Sequence, residues 1–300
     1  MRLTPAASGA PAGVIETAFD PASRMTAPVH LDGAGPFAFV VDTGANVSVV
    51  SAELAQRLGL PGAGAALVHG IAGTIETSLV RIGKLTVGQV SAAVRQAPVL
   101  PRSRLGVDGL LGMDVLRNRR LTMDFRRSRI EIAKSGPRPG AQPLRSLDKE
   151  DRRAPSFVVP ARIRFGQLVI VDAEIAGVKV TAFLDSGSQN TIGNRLLRAA
   201  LARRDRRFAQ GLTRVRLLSA TGQVAEAELS AMPPLRLGGL RISNMIAAFA
   251  ALHIFDIWGL ADRPAILVGV DLLAQFNAVE IDYGLRSVTF RPPPQAMTGR

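Results

Sequence analysis

Apolar residues in this chain come in short runs broken by Gly, Asp and Pro, a pattern of strands and turns. Residues 14–18 and 25–31 read as strands, followed by the turn Asp32-Gly33-Ala34-Gly35. Pro36 opens a strand over 37–41, and 47–50 is the next apolar run. Ser51 has the position of an N-cap for a helix carrying Leu54 and Leu58 on one face and stopping at Gly59. Residues 66–68 and 74–80 form a hairpin around the tip His69-Gly70-Ile71-Ala72-Gly73, and 81–94 alternate as a second hairpin. A short helix over 115–119 and a hairpin over 121–125 and 129–133 close this half. Residues 134–156 are rich in Pro, Gly and charge without periodicity, and so read as a linker. The pattern then restarts with strands over 157–165, 168–175 and 178–184. A helix over 194–202 follows, then the basic run Arg203 to Arg207.

The restart is an internal repeat. Asp42-Thr43-Gly44-Ala45 matches Asp185-Ser186-Gly187-Ser188 at an offset of 143. Arg81-Ile82-Gly83-Lys84-Leu85 matches Arg236-Leu237-Gly238-Gly239-Leu240, and Ala92-Ala93-Val94 matches Ala247-Ala248-Phe249, at 155. Leu110-Leu111-Gly112-Met113-Asp114 matches Leu267-Val268-Gly269-Val270-Asp271 at 157, and Met123-Asp124-Phe125 has its counterpart in Ile281-Asp282-Tyr283. Offsets that grow in order describe a duplication with one insertion, expected mostly near the basic run after Asp185.

Composition narrows the chemistry. With 47% hydrophobic residues and few aromatics, the core must be built from Ala, Val, Leu and Ile. The absence of cysteine excludes disulfides, thiol catalysis and cysteine-ligated metal, and fits a periplasmic or a cytosolic protein equally. A net charge of +13, nearly all from arginine, suggests an anionic partner. The arginines fall in separate segments without an aromatic stacking platform, so nucleic acid is not the expected ligand. No apolar run is long enough to span a bilayer, and residues 1–13 lack the apolar core of a signal peptide.

In each repeat two apolar residues run into an aspartate, a small hydroxyl residue and a glycine. A core strand thus delivers a carboxylate to its inner end, where burial is costly unless compensated. Two such loops, each followed by an apolar-apolar-Gly element, resemble the aspartic peptidases. Asp42-Thr43-Gly44 with Leu110-Leu111-Gly112 looks like one retropepsin lobe, and Asp185-Ser186-Gly187 with Leu267-Val268-Gly269 like a second. The resemblance covers residues 14–133 and 157–292. It implies an all-β acid-protease fold with a few short helices: two pseudo-twofold-related, barrel-like lobes about a central cleft. Asp42 and Asp185 would be the catalytic pair. Thr43 and Ser186 would tie the loops together, and Gly44 and Gly187 would let backbone amides approach the carboxylates.

Two carboxylates 3–4 Å apart repel by about 4 kcal/mol at an effective dielectric of about 20. Their titrations therefore separate by about 3 pH units. One ionised and one protonated acid can then share a water, with neither cofactor nor metal. The tip His69, Gly70, Ile71 is the candidate flap of the first lobe, with Ala220, Thr221, Gly222 its equivalent in the second. A flap tyrosine is absent, since the only Tyr is Tyr283. Asp114 and Asp271 stand at helix starts and read as structural, while Asp108, Asp124 and Asp282 read as turn residues. Trp258 reads equally as core or pocket wall.

The function this implies is an aspartic endopeptidase acting on polypeptide, with a monomer sufficient to build the site. Bacterial proteins of this type imply an exported, envelope location. The rivals are a peptide- or partner-binding protein on the same fold and a basic nucleic-acid-binding protein.

Overall fold

Alternation is visible at once in the strand Met25–Leu31, where Ala27, Val29 and Leu31 are buried and Pro28 faces out. The computed structural model describes residues 14–136, 156–164, 166–205, 208 and 213–293. The leader question at 1–13, nearly all of the 134–156 segment and Arg206 and Arg207 lie outside the described residues.

The first half runs β1 (Val14–Glu16), β2 (Ala18–Phe19), β3 (Met25–Leu31), β4 (Ala34–Val41), β5 (Val49–Ser51), α1 (Ala52–Arg57), β6 (Gly62–His69), β7 (Thr74–Val87), β8 (Val90–Leu100), α2 (Arg102–Leu105), β9 (Gly109–Leu111), α3 (Met113–Leu116), β10 (Arg119–Asp124) and β11 (Arg129–Lys134). The second half runs β12 (Phe157–Arg164), β13 (Gln167–Ile175), β14 (Val178–Leu184), β15 (Ile192–Gly193), α4 (Arg195–Arg204), β16 (Thr213–Leu218), β17 (Val224–Met232), β18 (Leu235–Leu237), β19 (Leu240–Ile242), β20 (Met245–Phe249), α5 (His253–Ile257), β21 (Ala265–Val268), α6 (Val270–Leu273), β22 (Ala278–Asp282) and β23 (Ser287–Arg291).

Three sheet systems result. In the first lobe β3-β4-β9-β5-β8-β7 closes on itself because β3 also pairs β7. The second lobe repeats the path as β13-β14-β21-β15-β20-β17, with β18 returning to β13. Pro233 and Pro234 split its long hairpin strand into β17 and β18, since proline cannot donate to a ladder. Between the lobes β1, β11, β10, β22, β23 and β12 form one antiparallel sheet, with β10 and β22 meeting at its centre.

Strand pairing corrects the repeat. Val87 pairs Val29 as Leu237 pairs Ala173, and Val99 pairs Val50 as Phe249 pairs Gly193. The middle hairpin is therefore offset by 150, and the matched pairs Arg81/Arg236 and Ala92/Ala247 are five residues out of structural register. Gly88 and Gly238, both at positive φ, are the true counterparts. Alternating strands around a glycine match in more than one register by residue type, and only pairing distinguishes them. The insertion is divided, half of it before the hairpin and half between Phe249 and β21.

In each lobe the apolar-apolar-Gly strand is inserted between the strands flanking the aspartate loop. β9 runs parallel to β4 and antiparallel to β5, and β21 does the same with β14 and β15. A Cβ on Gly112 would stand 2.5 Å from the Val47 carbonyl carbon, and one on Gly269 equally close to that of Asn190. Gly112→Ala is expected to cost about 1–3 kcal/mol through overpacking. Gly62→Ala, where a Cβ meets nothing, is expected to be near neutral. Urea denaturation of the two variants measures the contrast.

Candidate functional site

Val41 and Leu184 are buried strand ends, and the next residue in each case is an aspartate. The Asp42 amide donates to Leu111 and the Asp185 amide to Val268, so each loop starts anchored on the inserted strand. Asp42 Oδ1 accepts from the amides of Gly44 (2.8 Å) and Ala45 (3.0 Å). Asp185 Oδ1 accepts from those of Gly187 (3.0 Å) and Ser188 (3.1 Å). The two carboxyl groups come together at the lobe boundary, each against the glycine of the other's loop, with Asp42 9% and Asp185 7% exposed. A Cβ on Gly44 would collide with the Asp185 carboxyl, and one on Gly187 with that of Asp42. Glycine is thus required by the opposite lobe's acid.

Thr43 and Ser186 cross-link the loops. The Thr43 amide donates to Ser186 Oγ (3.2 Å) and the Ser186 amide to Thr43 Oγ1 (3.0 Å). Each hydroxyl donates in turn to the other lobe's strand: Thr43 Oγ1 to the Leu184 carbonyl (3.0 Å) and Ser186 Oγ to that of Val41 (2.6 Å).

Burial is the main cause that raises the pKa of both acids. For Asp185, raised well above the ordinary 3.8, the charge of Asp42 adds to it, and the amides of Gly187 and Ser188 oppose it. For Asp42 the rise is opposed by the Gly44 amide and by Arg24. Arg24 pairs with Asp20 at 2.5 Å, donates to the Leu105 carbonyl at 2.7 Å, and reaches the Gly187 carbonyl of the opposite loop at 3.4 Å. Its role was not legible in the chain, where it is one arginine among many. The Tyr283 hydroxyl is buried and has no hydrogen-bond partner among the described residues. Burial, with the charges of Asp42 and Asp185, pushes its pKa up.

Ser48 and Thr191 were also missed. Ser48 Oγ donates to Asp114 (2.7 Å) and accepts from the Gly112 amide (3.0 Å). Thr191 Oγ1 does the same with Asp271 (2.7 Å) and Gly269 (3.1 Å). The signal was present, because these hydroxyl residues share the offset of the aspartates. Asp114 and Asp271 are structural, as expected, but for a different reason: they clamp these loops, and only Asp271 also accepts from its own helix, at the Leu272 amide.

Asp124 and Asp282 accept from local amides, as turn residues do. Asp108 departs from the turn role expected of it: it accepts from the Ala38 amide of β4, 70 residues away (3.0 Å), and pairs with Arg102 (3.1 Å). Trp258 is core, stacked on Phe183 with centroids 4.6 Å apart. The hairpin tips lie against the opposite lobes. Gly70 abuts Ser219 and Thr221, Gln223 Nε2 donates to the Thr74 carbonyl (2.7 Å), and Arg104 donates to that of Thr221 (3.0 Å). His69 meets His253, an unforeseen partner. A groove of ≈ 700 Å³ lined by Pro36, Phe37, Glu53, Arg57, Arg102 and Asp108 contains neither central acid.

Residues 27–115 and 171–272 match a family model described as aspartyl protease, and together they make up more than half of the chain. The chain belongs to the aspartyl protease family. A search of curated proteins gives no match. Family membership accounts for the two lobes and for peptidase chemistry in general. The matched stretches include both aspartate loops and both apolar-apolar-Gly strands. Among the described residues no helix is long and apolar enough to cross a membrane.

Two predictions concern stability. Thr43→Val strands the buried Ser186 amide and Leu184 carbonyl, and is expected to cost about 1–3 kcal/mol in a denaturant titration. The raised acids give a pH dependence of known sign. The folded pair retains a proton where the unfolded chain has released both, so stability falls as pH rises from about the ordinary 3.8 through the folded pKa. Asp185→Asn removes that cost. It is expected to melt above the wild type near neutrality, with the gap narrowing toward acid, as calorimetry over a pH series measures.

Proposed function

We propose that this protein is an aspartic endopeptidase in which Asp42 and Asp185 activate a water between them. The observation that carries the reading is the meeting of two buried carboxyls whose loops are tied by reciprocal hydrogen bonds. One acid of such a pair ionises well before the other. The ionised acid takes a proton from the water as its oxygen attacks the peptide carbonyl carbon. The protonated acid donates to the carbonyl oxygen, giving a tetrahedral diol. Return of a proton to the nitrogen breaks the C–N bond. The pair acts as a unit, so neither role belongs to one residue.

Thr43, Gly44, Ser186 and Gly187 are the support of this centre. The substrate is an extended polypeptide, its backbone paired to strand edges and its side chains alternating between the walls of the cleft. The tips with His69, Gly70 and Ile71, and with Ala220, Thr221 and Gly222, are the flaps that exclude water from it. One chain supplies both acids, so the site needs no second copy.

Asp42→Asn and Asp185→Asn are each expected to lower hydrolysis of an unstructured protein at mildly acidic pH by about 10³-fold. Mass spectrometry of the digest reads this directly. The pH–rate profile should be bell-shaped, its basic limb above the ordinary carboxylate range because burial raises both acids. Full activity in either variant refutes the pair. Peptides bound but never cut by the wild type would instead make the chain a binding protein.

A further inference from the structure

The two hairpin tips are held by the opposite lobe in the same way. The second lobe's tip is held by α2 of the first, through Arg104 and the Thr221 carbonyl, with Gly222 lying on the guanidinium. The first lobe's tip is held by α5 of the second. There the Ile254 amide donates to the Ile71 carbonyl at 3.2 Å. His69 Nδ1 and His253 Nε2 are 2.9 Å apart, with the rings near parallel and their centroids 5.2 Å apart.

The side chains are exchanged as well. Ile71 and Ala72 of the first lobe pack on the second lobe's apolar cluster, which includes Phe183, Leu217, Ile254 and Trp258. Ala220 of the second lobe packs on the first lobe's cluster of Val40, Val49, Leu100, Leu105, Val107 and Leu110. These contacts hold the first tip against the second lobe, and admission of a chain between tip and lobe requires Ile71 to leave its cluster.

We propose that the His69–His253 pair is a pH-sensitive latch that keeps this hairpin closed on the second lobe at neutral pH and releases it in acid. A bond between two imidazoles needs one neutral ring to accept, and two imidazolium rings at this separation repel each other. His69 is exposed and His253 half-buried, so protons reach both from solvent. Around the pair, residues 70–73 and 219–223 carry no other titratable side chain. The charged residues of the adjoining elements are Asp256 on α5, Glu76, Arg81 and Lys84 on β7, and Arg102 and Arg104 on α2. Imidazole changes charge between about pH 8 and pH 5, the interval in which a latch of this kind responds. As a gate on a peptide cleft the latch rests on the reading above; as a motion of the hairpin it does not.

Trp258 is the chain's single tryptophan and belongs to the cluster that Ile71 covers. Its emission in the full-length protein therefore reports the latch without any turnover. Lowering the pH from about 8 to about 5 is expected to red-shift the emission and raise quenching by acrylamide. Hydrogen exchange at the Ile254 amide, corrected for intrinsic pH dependence, should rise in parallel. His69→Ala and His253→Ala, checked for folding by far-UV circular dichroism, are each expected to abolish the step. No step in the wild type, or a step retained in either variant, overturns the latch. Failure of the wild type to cleave peptides bears on the catalytic reading alone.

Discussion

Two carboxyl groups buried side by side repel, and each loses its hydration. The structure answers that cost mainly with backbone amides and one reciprocal cross-link. Each aspartate accepts two amides of its own loop, and each loop's hydroxyl residue accepts an amide from the other lobe and donates to its strand. Thr43 and Ser186 pair each other's amides and the Leu184 and Val41 carbonyls, and this ties the lobe boundary where the acids meet. The glycines follow from the same demand, since a methyl group at either position would occupy the other acid's space.

Behind each loop stands a second support of the same design. A three- or four-residue strand is slotted between the loop's flanking strands, its glycine pressed against the backbone and its amide bonded to Ser48 or Thr191. An aspartate from the following short helix clamps the same hydroxyl. The loops are thus fixed from below by rigid elements. The hairpin tips have few such ties. They are held by a handful of contacts at their ends, and so are the parts able to move without disturbing the centre.

Much of this was legible in the chain. Alternation located most strands, and Ser51 caps its helix as its position implied, its side chain accepting from the Leu54 amide. Asn194, read as the first residue of a helix, is the residue that caps α4, accepting from the Leu197 amide. The twofold recurrence of apolar-apolar-Asp-hydroxyl-Gly pointed to Asp42 and Asp185 because local pattern alone places a carboxylate at the end of a core strand. The middle hairpin failed for a physical reason: a strand's identity repeats every second residue, and glycine turns abound, so residue types fit several registers. Ser48 and Thr191 were overlooked because a hydroxyl in a loop has many possible partners, and its partner here lies 66 or 80 residues away.

The sequence by itself determined what is local or repeated: strand after strand, the helix caps, the duplication and the two acids it carries. Tertiary structure alone decided what depends on distant segments meeting. It brought Arg24 to the opposite loop, Tyr283 within the field of both acids, Trp258 into the core and His69 against His253. Periodicity records which face of an element is buried. It carries no information about which side chain of the other lobe lies across that face, because that choice is made by the docking of two barrels on a shared sheet.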